Sequence, residues 1–177
     1  MKESFKTEFY SLLKTILIAL VLAFIIKNFI FTFAYVKGIS MEPTLSEKDV
    51  LFSFVPKKYL NLNRSDIVIV KSPIEENKNY IKRVIGLPGD EIKIQNGSVY
   101  VNDKLLEENY TSNDYTEALN ATYTLLEGNE YFIMGDNRNP GGSIDSRTFG
   151  PIKKSAIKSV VTFRILPFSK IERLGVK

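Results

Sequence analysis

The sequence predicts a mainly β domain of short antiparallel strands, preceded by one N-terminal transmembrane helix. Two observations carry this prediction: an uncharged apolar run at residues 15–26, and a series of short apolar runs separated by turn residues from Tyr35 onward. We therefore expect a short cytoplasmic N-terminus (1–11), an anchor helix (12–34) and an extracytoplasmic β domain (35–177).

The apolar run is long enough to cross a bilayer. With its apolar flanks it covers roughly 22 residues, and a spanning helix needs about 20. Lys2, Lys6 and Lys14 precede it, so the positive-inside rule places the N-terminus in the cytoplasm and the rest of the chain outside. A cleavable signal peptide is the alternative, but the run is long and no site of small A-x-A residues follows it, which favours a retained anchor.

Short β-type runs with turn residues between them follow the anchor. We predict strands at residues 50–55, 67–70, 80–85, 91–95, 98–101, 131–134 and 160–166. Asn96-Gly97 predicts a type I′ hairpin, because both residues tolerate a positive φ, and residues 127–129 (Glu-Gly-Asn) predict another turn. Residues 107–120 are polar and aperiodic, which indicates a surface loop, and residues 154–158 are too few for a stable helix.

The composition excludes several classes of site. The chain has no Cys and no His, so thiol nucleophiles, Ser-His-Asp triads and histidine-based zinc sites are ruled out. Its 24 basic and 20 acidic residues are interspersed, and no nucleic-acid motif, phosphate loop or calcium-binding series occurs. We expect no cofactor, no metal and no nucleic-acid partner.

A Ser hydroxyl activated by a neutral Lys amine is the self-sufficient hydrolytic pair that remains. Such a Lys needs its pKa lowered by about 3 units, or roughly 4 kcal/mol, which burial can supply. Lys71 and Lys82 both lie in apolar strand patterns. Either could be the base, but the pattern alone favours two ordinary lysines on a solvated strand face.

Four segments, taken together and in this order, resemble the bacterial type I signal peptidases. They are residues 40–44 (SMEPT), 65–68 (SDIV), 80–90 (YIKRVIGLPGD) and 135–150, which begins GDNR and contains DSR. The resemblance extends over nearly the whole chain from the anchor to Pro151. It implies a signal-peptidase-like, LexA-like β fold and a membrane-anchored serine endopeptidase of the bacterial plasma membrane.

The resemblance also implies roles for individual residues. Ser40 matches the nucleophile and Lys82 the general base, which sets Lys71 aside. Gly38 and Met41 match the oxyanion region, although some relatives have a Ser where this chain has Gly38. Three residues match the family's support positions. Ser143 matches a Ser that hydrogen-bonds the base, and Asp145 and Arg147 match an Asp and an Arg that brace the site. The stretch between Arg138 and Asp145 is about two residues longer than usual.

The implied partners are signal peptides of exported preproteins and the lipid bilayer. Ser40 follows the predicted anchor closely, so we expect it within about 20 Å of the bilayer edge. Tyr35, Val36 and Ile39 are the expected walls of pockets for the small side chains of an A-x-A-like site. Phe52, Phe54 and residues 163–168 could either dip into the membrane interface or pack in the core.

Two alternatives of other classes remain. A LexA-type autoproteolytic regulator shares the Ser-Lys pair but carries a DNA-binding helix-turn-helix in place of an anchor. A dedicated processing or assembly factor, for a subset of substrates such as pilins, could lack catalysis altogether. The N-terminal apolar segment argues against the first, and the presence of both Ser40 and Lys82 argues against the second.

Overall fold

The structure is a computed structural model that describes residues 2–117, 121–123 and 128–175. A long helix, α1 (Lys2–Ile25), is followed by a π-helical turn (Ile26–Ile30), and a short helix, α2 (Ser146–Phe149), lies near the C-terminal third. The strands are β1 (Phe31–Tyr35), β2 (Val50–Phe54), β3 (Ile67–Lys71), β4 (Asn79–Gly86), β5 (Ile92–Gln95), β6 (Ser98–Val101), β7 (Lys104–Leu105), β8 (Ala121–Tyr123), β9 (Glu130–Met134), β10 (Ile152–Lys153), β11 (Ile157–Leu166) and β12 (Glu172–Arg173).

The strands form two antiparallel sheets. The larger sheet has the order β1-β2-β11-β3-β4-β9-β10, with β12 paired to β11, and the smaller has the order β7-β6-β5-β8. Within the larger sheet β4 lies between β3 and β9, where Lys82 pairs with Val68 and Arg83 pairs with Met134. Two consecutive charged residues therefore occupy the middle of a sheet, where solvent access is poor.

Three apolar clusters hold the sheets together. Alternate residues of β3 belong to different clusters: Val68 and Val70 to one, Ile67 and Ile69 to another. Because successive strand residues point to opposite faces, these clusters cover the two faces of the larger sheet. The third cluster joins the sheets, since it combines Phe132 and Met134 of β9 with residues of β5 and β6.

The fold class predicted from the sequence is confirmed, but the bounds of the anchor helix are not. The helix begins at Lys2 and ends at Ile25, whereas residues 31–34, which we assigned to the anchor, belong to β1. β1 pairs with β2 from Phe31 opposite Phe54 to Tyr35 opposite Val50. In β1 the backbone groups form hydrogen bonds with β2, whereas in a helix they would form hydrogen bonds within the segment. Because both structures satisfy the backbone, the apolar composition of residues 31–34 could not distinguish a strand from a membrane helix.

The segment with the length and composition of a membrane span is residues 8–25, and no part of it is buried against the protein. Since Ser40 is fifteen residues beyond Ile25, chain length limits its distance from the end of the helix only to about 50 Å. Chain length alone therefore does not enforce the expected limit of about 20 Å from the bilayer edge, which stays a prediction.

All seven predicted strands are present, with bounds within three residues of the prediction. The hairpin is confirmed, because Asn96 and Gly97 have φ of 51° and 79° and join paired residues Gln95 and Ser98. Residues 107–117 form no helix or strand, and residues 154–156 form one 3-10 turn before β11. Gly128 and Asn129 lie in a turn; Glu127 and residues 118–120 lie outside the described residues.

Candidate active site

The loop between β1 and β2 carries Ser40, and its flanks are fixed to the body of the protein. The Val36 N–H donates to the Asp49 carbonyl at 2.9 Å, and the Lys48 N–H donates to the Val36 carbonyl at 3.1 Å. Met41 and Leu45 are buried in the same apolar cluster as Ile67 and Ile69. The loop is therefore held at its base by backbone hydrogen bonds and at its centre by Met41, which immediately follows Ser40.

Lys82 reaches Ser40 from the middle of β4. Its Nζ lies 2.7 Å from Ser40 Oγ, and the residue is only 2% exposed. The Tyr80 ring lies beside the amine, with its centroid 5.4 Å from Nζ. A serine hydroxyl within hydrogen-bond distance of a buried amine is the geometry that nucleophilic catalysis by a Ser-Lys pair requires.

The pKa of Lys82 is lowered to about 8, chiefly because burial disfavours the charged ammonium form. The Asp145 carboxylate opposes this shift, the Arg147 guanidinium adds to it, and Asp136 opposes it more weakly. Burial therefore outweighs the attraction of the two carboxylates at the amine. Lys71, the other candidate base, is exposed at the end of β3.

Asp145 is completely buried and caps α2. It accepts hydrogen bonds from the Gly135 N–H at 2.9 Å and from the Arg147 N–H at 3.2 Å, and the Arg147 guanidinium contacts both carboxylate oxygens at 2.8 and 2.7 Å. Burial alone would raise the pKa of Asp145, but the hydrogen bonds and charge of Arg147 hold it below its usual value. The carboxylate stays ionised and ties α2 to the end of β9.

Gly135 brings Ser143 and the Ser40 loop together. A Cβ at this position would overlap Ser143 Oγ and the carbonyl oxygen of Ser40, so only glycine allows the three segments to approach so closely. Ser143 Oγ is buried and, within the described part of the chain, makes no hydrogen bond of standard geometry, although it lies near enough to Asp145 to help lower the pKa of that carboxyl. The hydrogen bond to Lys82 that the resemblance implied for Ser143 is absent from this structure.

Residues 136 and 137 fasten the Ser40 loop to β4 and β9. Arg83 makes a bidentate ion pair with Asp136, at 2.8 and 2.6 Å, and Thr44 Oγ1 donates to the same carboxylate at 2.5 Å. The Asn137 N–H donates to the Ser40 carbonyl at 3.1 Å, and Asn137 Nδ2 donates to the Ile39 carbonyl at 3.2 Å. Arg83, Thr44, Asp136 and Asn137 lie within the sequence motifs, but no role was predicted for them. The available signal was that Arg83 directly follows Lys82 and Asp136 directly follows Gly135.

A groove with a volume of about 870 Å³ opens beside the Ser40–Lys82 pair. Tyr35, Val36, Gly38 and Met41 line it, and Gly38 adopts a positive φ of 82°. Of the three residues expected to form pocket walls, Tyr35 and Val36 line this groove, and their contact with substrate stays a prediction. Ile39 is not among the lining residues and is 53% exposed.

The geometry agrees with comparisons to known proteins. A family model described as signal peptidase, peptidase S26, matches residues 9–166 of the 177. The chain belongs to this family. A signal peptidase I of Bacillus amyloliquefaciens is 37% identical to this signal peptidase family member, over 97% of this chain and 96% of the relative. Signal peptidase IB of Staphylococcus aureus (strain COL) is 33% identical over 94% of both chains.

The fold of this signal peptidase family member is similar to a solved structure. The crystal structure of a signal peptidase I from Enterococcus faecalis V583 has 30% sequence identity and a TM-score of 0.50, and it covers 58% of this chain and 97% of that chain. The family assignment makes the chain a serine peptidase. Part of the site architecture that supports this chemistry, the Arg83–Asp136–Thr44 cluster, was not anticipated from the sequence.

Proposed function

We propose that this protein is a membrane-anchored serine endopeptidase that removes N-terminal signal peptides from exported preproteins at an A-x-A-like site. Ser40 is the nucleophile and Lys82 the general base. The observation that carries the proposal is the 2.7 Å separation of Ser40 Oγ from the Nζ of a lysine that is 2% exposed. The names of the relatives, each a signal peptidase I or IB, support the substrate class.

The reaction begins with proton transfer from Ser40 to the neutral amine of Lys82. With a pKa of about 8, about one molecule in ten carries that neutral amine at pH 7. Ser40 Oγ attacks the carbonyl carbon of the scissile bond, and the Ser40 N–H, beside the open backbone of Gly38, donates to the oxyanion. Lys82 then protonates the leaving amine, and a water hydrolyses the acyl-enzyme with Lys82 again as base.

The support residues act through the geometry of this pair. Met41 anchors the loop next to the nucleophile, and Asp145 with Arg147 holds the Gly135 backbone against the Ser40 carbonyl. Ser143 packs against Gly135 and lies beside Asp145, and so supports the same arrangement. These contacts position reacting atoms, and misplacements of about 1 Å can cost a factor of 100 in rate.

The substrate binds as an extended strand in the groove beside Ser40. Its small side chains, at the first and third residues before the scissile bond, pack on Val36 and the neighbouring apolar floor, with Tyr35 at the rim. Every step of the proposed reaction uses groups of the chain itself and water.

The membrane part of the proposal rests on α1 and on the surface next to it. Residues 8–25 have the length and composition of a single span, and the basic residues before them favour an N-terminus in the cytoplasm, which leaves the β domain outside the plasma membrane. Phe31, Phe33, Phe52 and Phe163 form a contiguous aromatic cluster on β1, β2 and β11, with Phe33 59% exposed. An exposed aromatic surface beside an anchor suits contact with the lipid interface.

The test uses purified full-length protein in detergent with a preprotein that has an A-x-A site. We expect cleavage after that site by the wild type and none by Ser40→Ala or Lys82→Met. Lys71→Met and Ser155→Ala change exposed residues of the same types and should cleave normally. Cleavage by the Lys82 variant would exclude the base assignment.

The alternative is a dedicated processing or assembly factor for a subset of substrates such as pilins, one that could lack catalysis. It requires a narrower substrate range than that of a general peptidase. The short Ser40–Lys82 distance favours a catalyst. Profiling of secreted proteins after depletion of the enzyme would separate the two substrate ranges, because a general peptidase leaves many preproteins uncleaved and a dedicated one leaves few.

A further inference from the structure

Asn137 holds the peptide unit between Ile39 and Ser40 by its carbonyl end. The side-chain Nδ2 of Asn137 donates to the Ile39 carbonyl at 3.2 Å, and the backbone N–H of Glu42 donates to the same oxygen at 3.0 Å. Asn137 is only 5% exposed. A carbonyl that accepts two hydrogen bonds is fixed in direction, so the plane of this peptide unit is fixed as well.

The N–H at the other end of the same peptide unit belongs to the proposed nucleophile. This peptide bond is trans, and in a trans peptide the C=O and N–H point in opposite directions. The Ser40 N–H therefore points away from Asn137. In the part of the chain that the structure describes, this N–H donates to no protein group, and Ser40 lines the groove with Gly38. It is available to a substrate oxygen, as an oxyanion donor must be.

Asn137 acts on the backbone at both sides of the nucleophile. A hydrogen bond accepted by a peptide carbonyl polarises the peptide unit and makes its N–H a stronger donor, which here is the N–H of Ser40. The backbone N–H of Asn137 also donates to the Ser40 carbonyl at 3.1 Å. One residue of the segment after β9 thus fixes the two peptide units that meet at Ser40.

The turn at residues 139–142 sets which way the Asn137 carboxamide faces. Its Oδ1 accepts hydrogen bonds from the Asn139 N–H at 3.3 Å and from Asn139 Nδ2 at 3.0 Å. The Gly142 N–H closes the turn onto the Asn139 carbonyl at 2.8 Å. Since a backbone N–H only donates and a backbone carbonyl only accepts, Oδ1 must face Asn139 and Nδ2 must face Ile39.

Gly142 leaves room for this carboxamide. A Cβ at Gly142 would lie 2.5 Å from Asn137 Oδ1 and 2.7 Å from its Cγ, whereas nonbonded heavy atoms prefer about 3.5–4.0 Å. The turn lies between Arg138 and Asp145, in the stretch that is longer than the resemblance to the family implies. The longer stretch therefore has a contact of its own at the active site, through Asn137.

We propose that Asn137 is a positioning residue for the oxyanion donor, and that the turn at residues 139–142 orients it. Asn137 Nδ2 holds the Ile39 carbonyl so that the Ser40 N–H points at the oxygen of the scissile carbonyl as that oxygen becomes negative. Gly142 acts only through Asn137. The inference rests on the proposed function, because only a reaction through a tetrahedral oxyanion uses this N–H.

The first experiment measures kcat and KM for Asn137→Ala, with full-length protein in detergent and a peptide that has an A-x-A site, between pH 6 and 10. We expect kcat to fall about tenfold to a hundredfold with KM nearly unchanged, because the lost interaction stabilises the transition state alone. The plateau of the pH profile should drop while its midpoint stays at the wild-type value. Asn61→Ala changes an exposed residue outside the groove and should match the wild type.

Asn137→Asp is the isosteric comparison. It keeps the shape and the acceptor oxygen of the side chain and loses the Nδ2 donor, so its plateau should fall at least as far as that of Asn137→Ala. The added negative charge favours protonated Lys82 and moves the midpoint upward. The plateau above that midpoint is therefore the value to compare.

The second experiment tests the turn. Gly142→Ala pushes the carboxamide away from its place, so kcat should fall by a factor similar to that of Asn137→Ala, whereas Gly141→Ala, with open space around it, should keep the wild-type kcat. The double variant Asn137→Ala/Gly142→Ala should be no slower than Asn137→Ala, because the two changes remove the same contact. Losses that multiply in the double variant would overturn the role of the turn.

The third experiment uses a peptide aldehyde that ends at the residue before the scissile bond. Ser40 Oγ bonds to the aldehyde carbon, the hydroxyl proton passes to Lys82, and the aldehyde oxygen takes the negative charge at the place of the oxyanion. Asn137→Ala should weaken inhibition by about the factor by which it lowers kcat. The uncleaved peptide should bind Ser40→Ala and Ser40→Ala/Asn137→Ala equally, as measured by fluorescence anisotropy.

The outcomes separate this inference from the proposed function. A wild-type kcat in Asn137→Ala would overturn the inference and leave the peptidase function intact. Weaker binding of the uncleaved peptide by the same factor as the loss of kcat would also overturn it, because that result assigns Asn137 to the shape of the groove. If the wild type cleaves no substrate, the proposed function is refuted and the inference falls with it.

Discussion

A single amine, Lys82 Nζ, carries most of the proposed chemistry, and its properties follow from its place on β4. The side chain begins in the middle of a sheet, between β3 and β9, and ends against Ser40 and the Tyr80 ring. Burial lowers its pKa to about 8, whereas a solvated lysine stays protonated at neutral pH. The strand position therefore accounts for the lowered pKa that the proposed base requires, in a chain without histidine.

The first prediction concerns the pH dependence of catalysis. Because the neutral form of Lys82 is the active one, kcat/KM should rise with pH and level off above about pH 8. Initial rates on a short peptide between pH 6 and 10 would give this profile. A rising limb with a midpoint above pH 9.5 would contradict a buried base. Lys71→Met should leave the midpoint unchanged, because that lysine is exposed.

The second prediction links the same amine to stability. The folded pKa of Lys82 lies below its ordinary value of 10.5, so below about pH 8 its protonation costs about 3 kcal/mol of folding free energy, and this cost disappears as the pH rises from 8 to 10.5. Lys82→Met removes the cost. We expect this inactive variant to melt at a higher temperature than the wild type at pH 7, by differential scanning fluorimetry in detergent, and the difference to narrow toward pH 10.

The third prediction concerns Gly135. Gly135→Ala places a methyl group against the Ser40 carbonyl and Ser143 Oγ, which must displace the nucleophile loop and lower kcat/KM by at least about a hundredfold. Gly141 is the control, because it has a positive φ of 71° and open space around it. Gly141→Ala should lower stability by about 1 kcal/mol and keep normal activity. Similar activities for the two variants would argue against the close approach.

At the scale of elements, an ion pair joins the two strands and the loop that build the site. Arg83 follows Lys82 on β4, Asp136 follows β9, and Thr44 belongs to the Ser40 loop; the three side chains meet at the Asp136 carboxylate. Arg83 also donates to the Ser65 carbonyl and stacks on Tyr110, 4.0 Å from the ring centroid. The same strand thus carries the proposed base, Lys82, and with the next residue, Arg83, fixes the Ser40 loop.

The fourth prediction measures this connection. Asp136→Asn leaves a buried guanidinium without its counter-charge, so we expect a loss of about 3–5 kcal/mol. The double variant Arg83→Met/Asp136→Leu should lose less stability than the sum of the losses of Arg83→Met and Asp136→Leu made singly, since no unpaired charge remains. Thermal unfolding of the four proteins provides the cycle. Asp103→Asn, which breaks an exposed pair with Lys93, should cost less than about 1 kcal/mol.

Much of the architecture could be predicted from local patterns, and the parts that could not depend on distant residues. The Asn96-Gly97 hairpin and the strand around Lys82 follow from turn chemistry and alternation within a few residues. β1 was missed because its apolar residues also suit a membrane helix, and its pairing with β2 across the nucleophile loop decides between them. The Arg83–Asp136 pair joins residues far apart in sequence, which no local pattern reveals.

At the scale of the whole molecule, the anchor and the β domain meet at one point. No part of residues 8–25 is buried, the π-helical turn Ile26–Ile30 follows, and β1 starts at Phe31. In the proposed function, this short junction and the aromatic cluster beside it keep the groove near the membrane, where a signal peptide presents its cleavage site. The proposal therefore makes the position of the domain relative to the bilayer depend on a few residues of chain.

The fifth prediction tests whether this short junction matters. A flexible insert of about ten Gly and Ser residues between Ile30 and Phe31 allows the domain to move tens of ångströms from the bilayer, so cleavage of a membrane-inserted preprotein in vesicles should fall by about tenfold or more. Cleavage of a short soluble peptide should be unchanged, since the site itself is intact. The same insert after Asp103, in an exposed turn of the smaller sheet, should affect neither reaction. If the insert at the junction leaves cleavage of both the preprotein and the soluble peptide at wild-type rates, the short junction does not keep the domain near the membrane. The aromatic cluster alone must then hold the domain at the lipid surface.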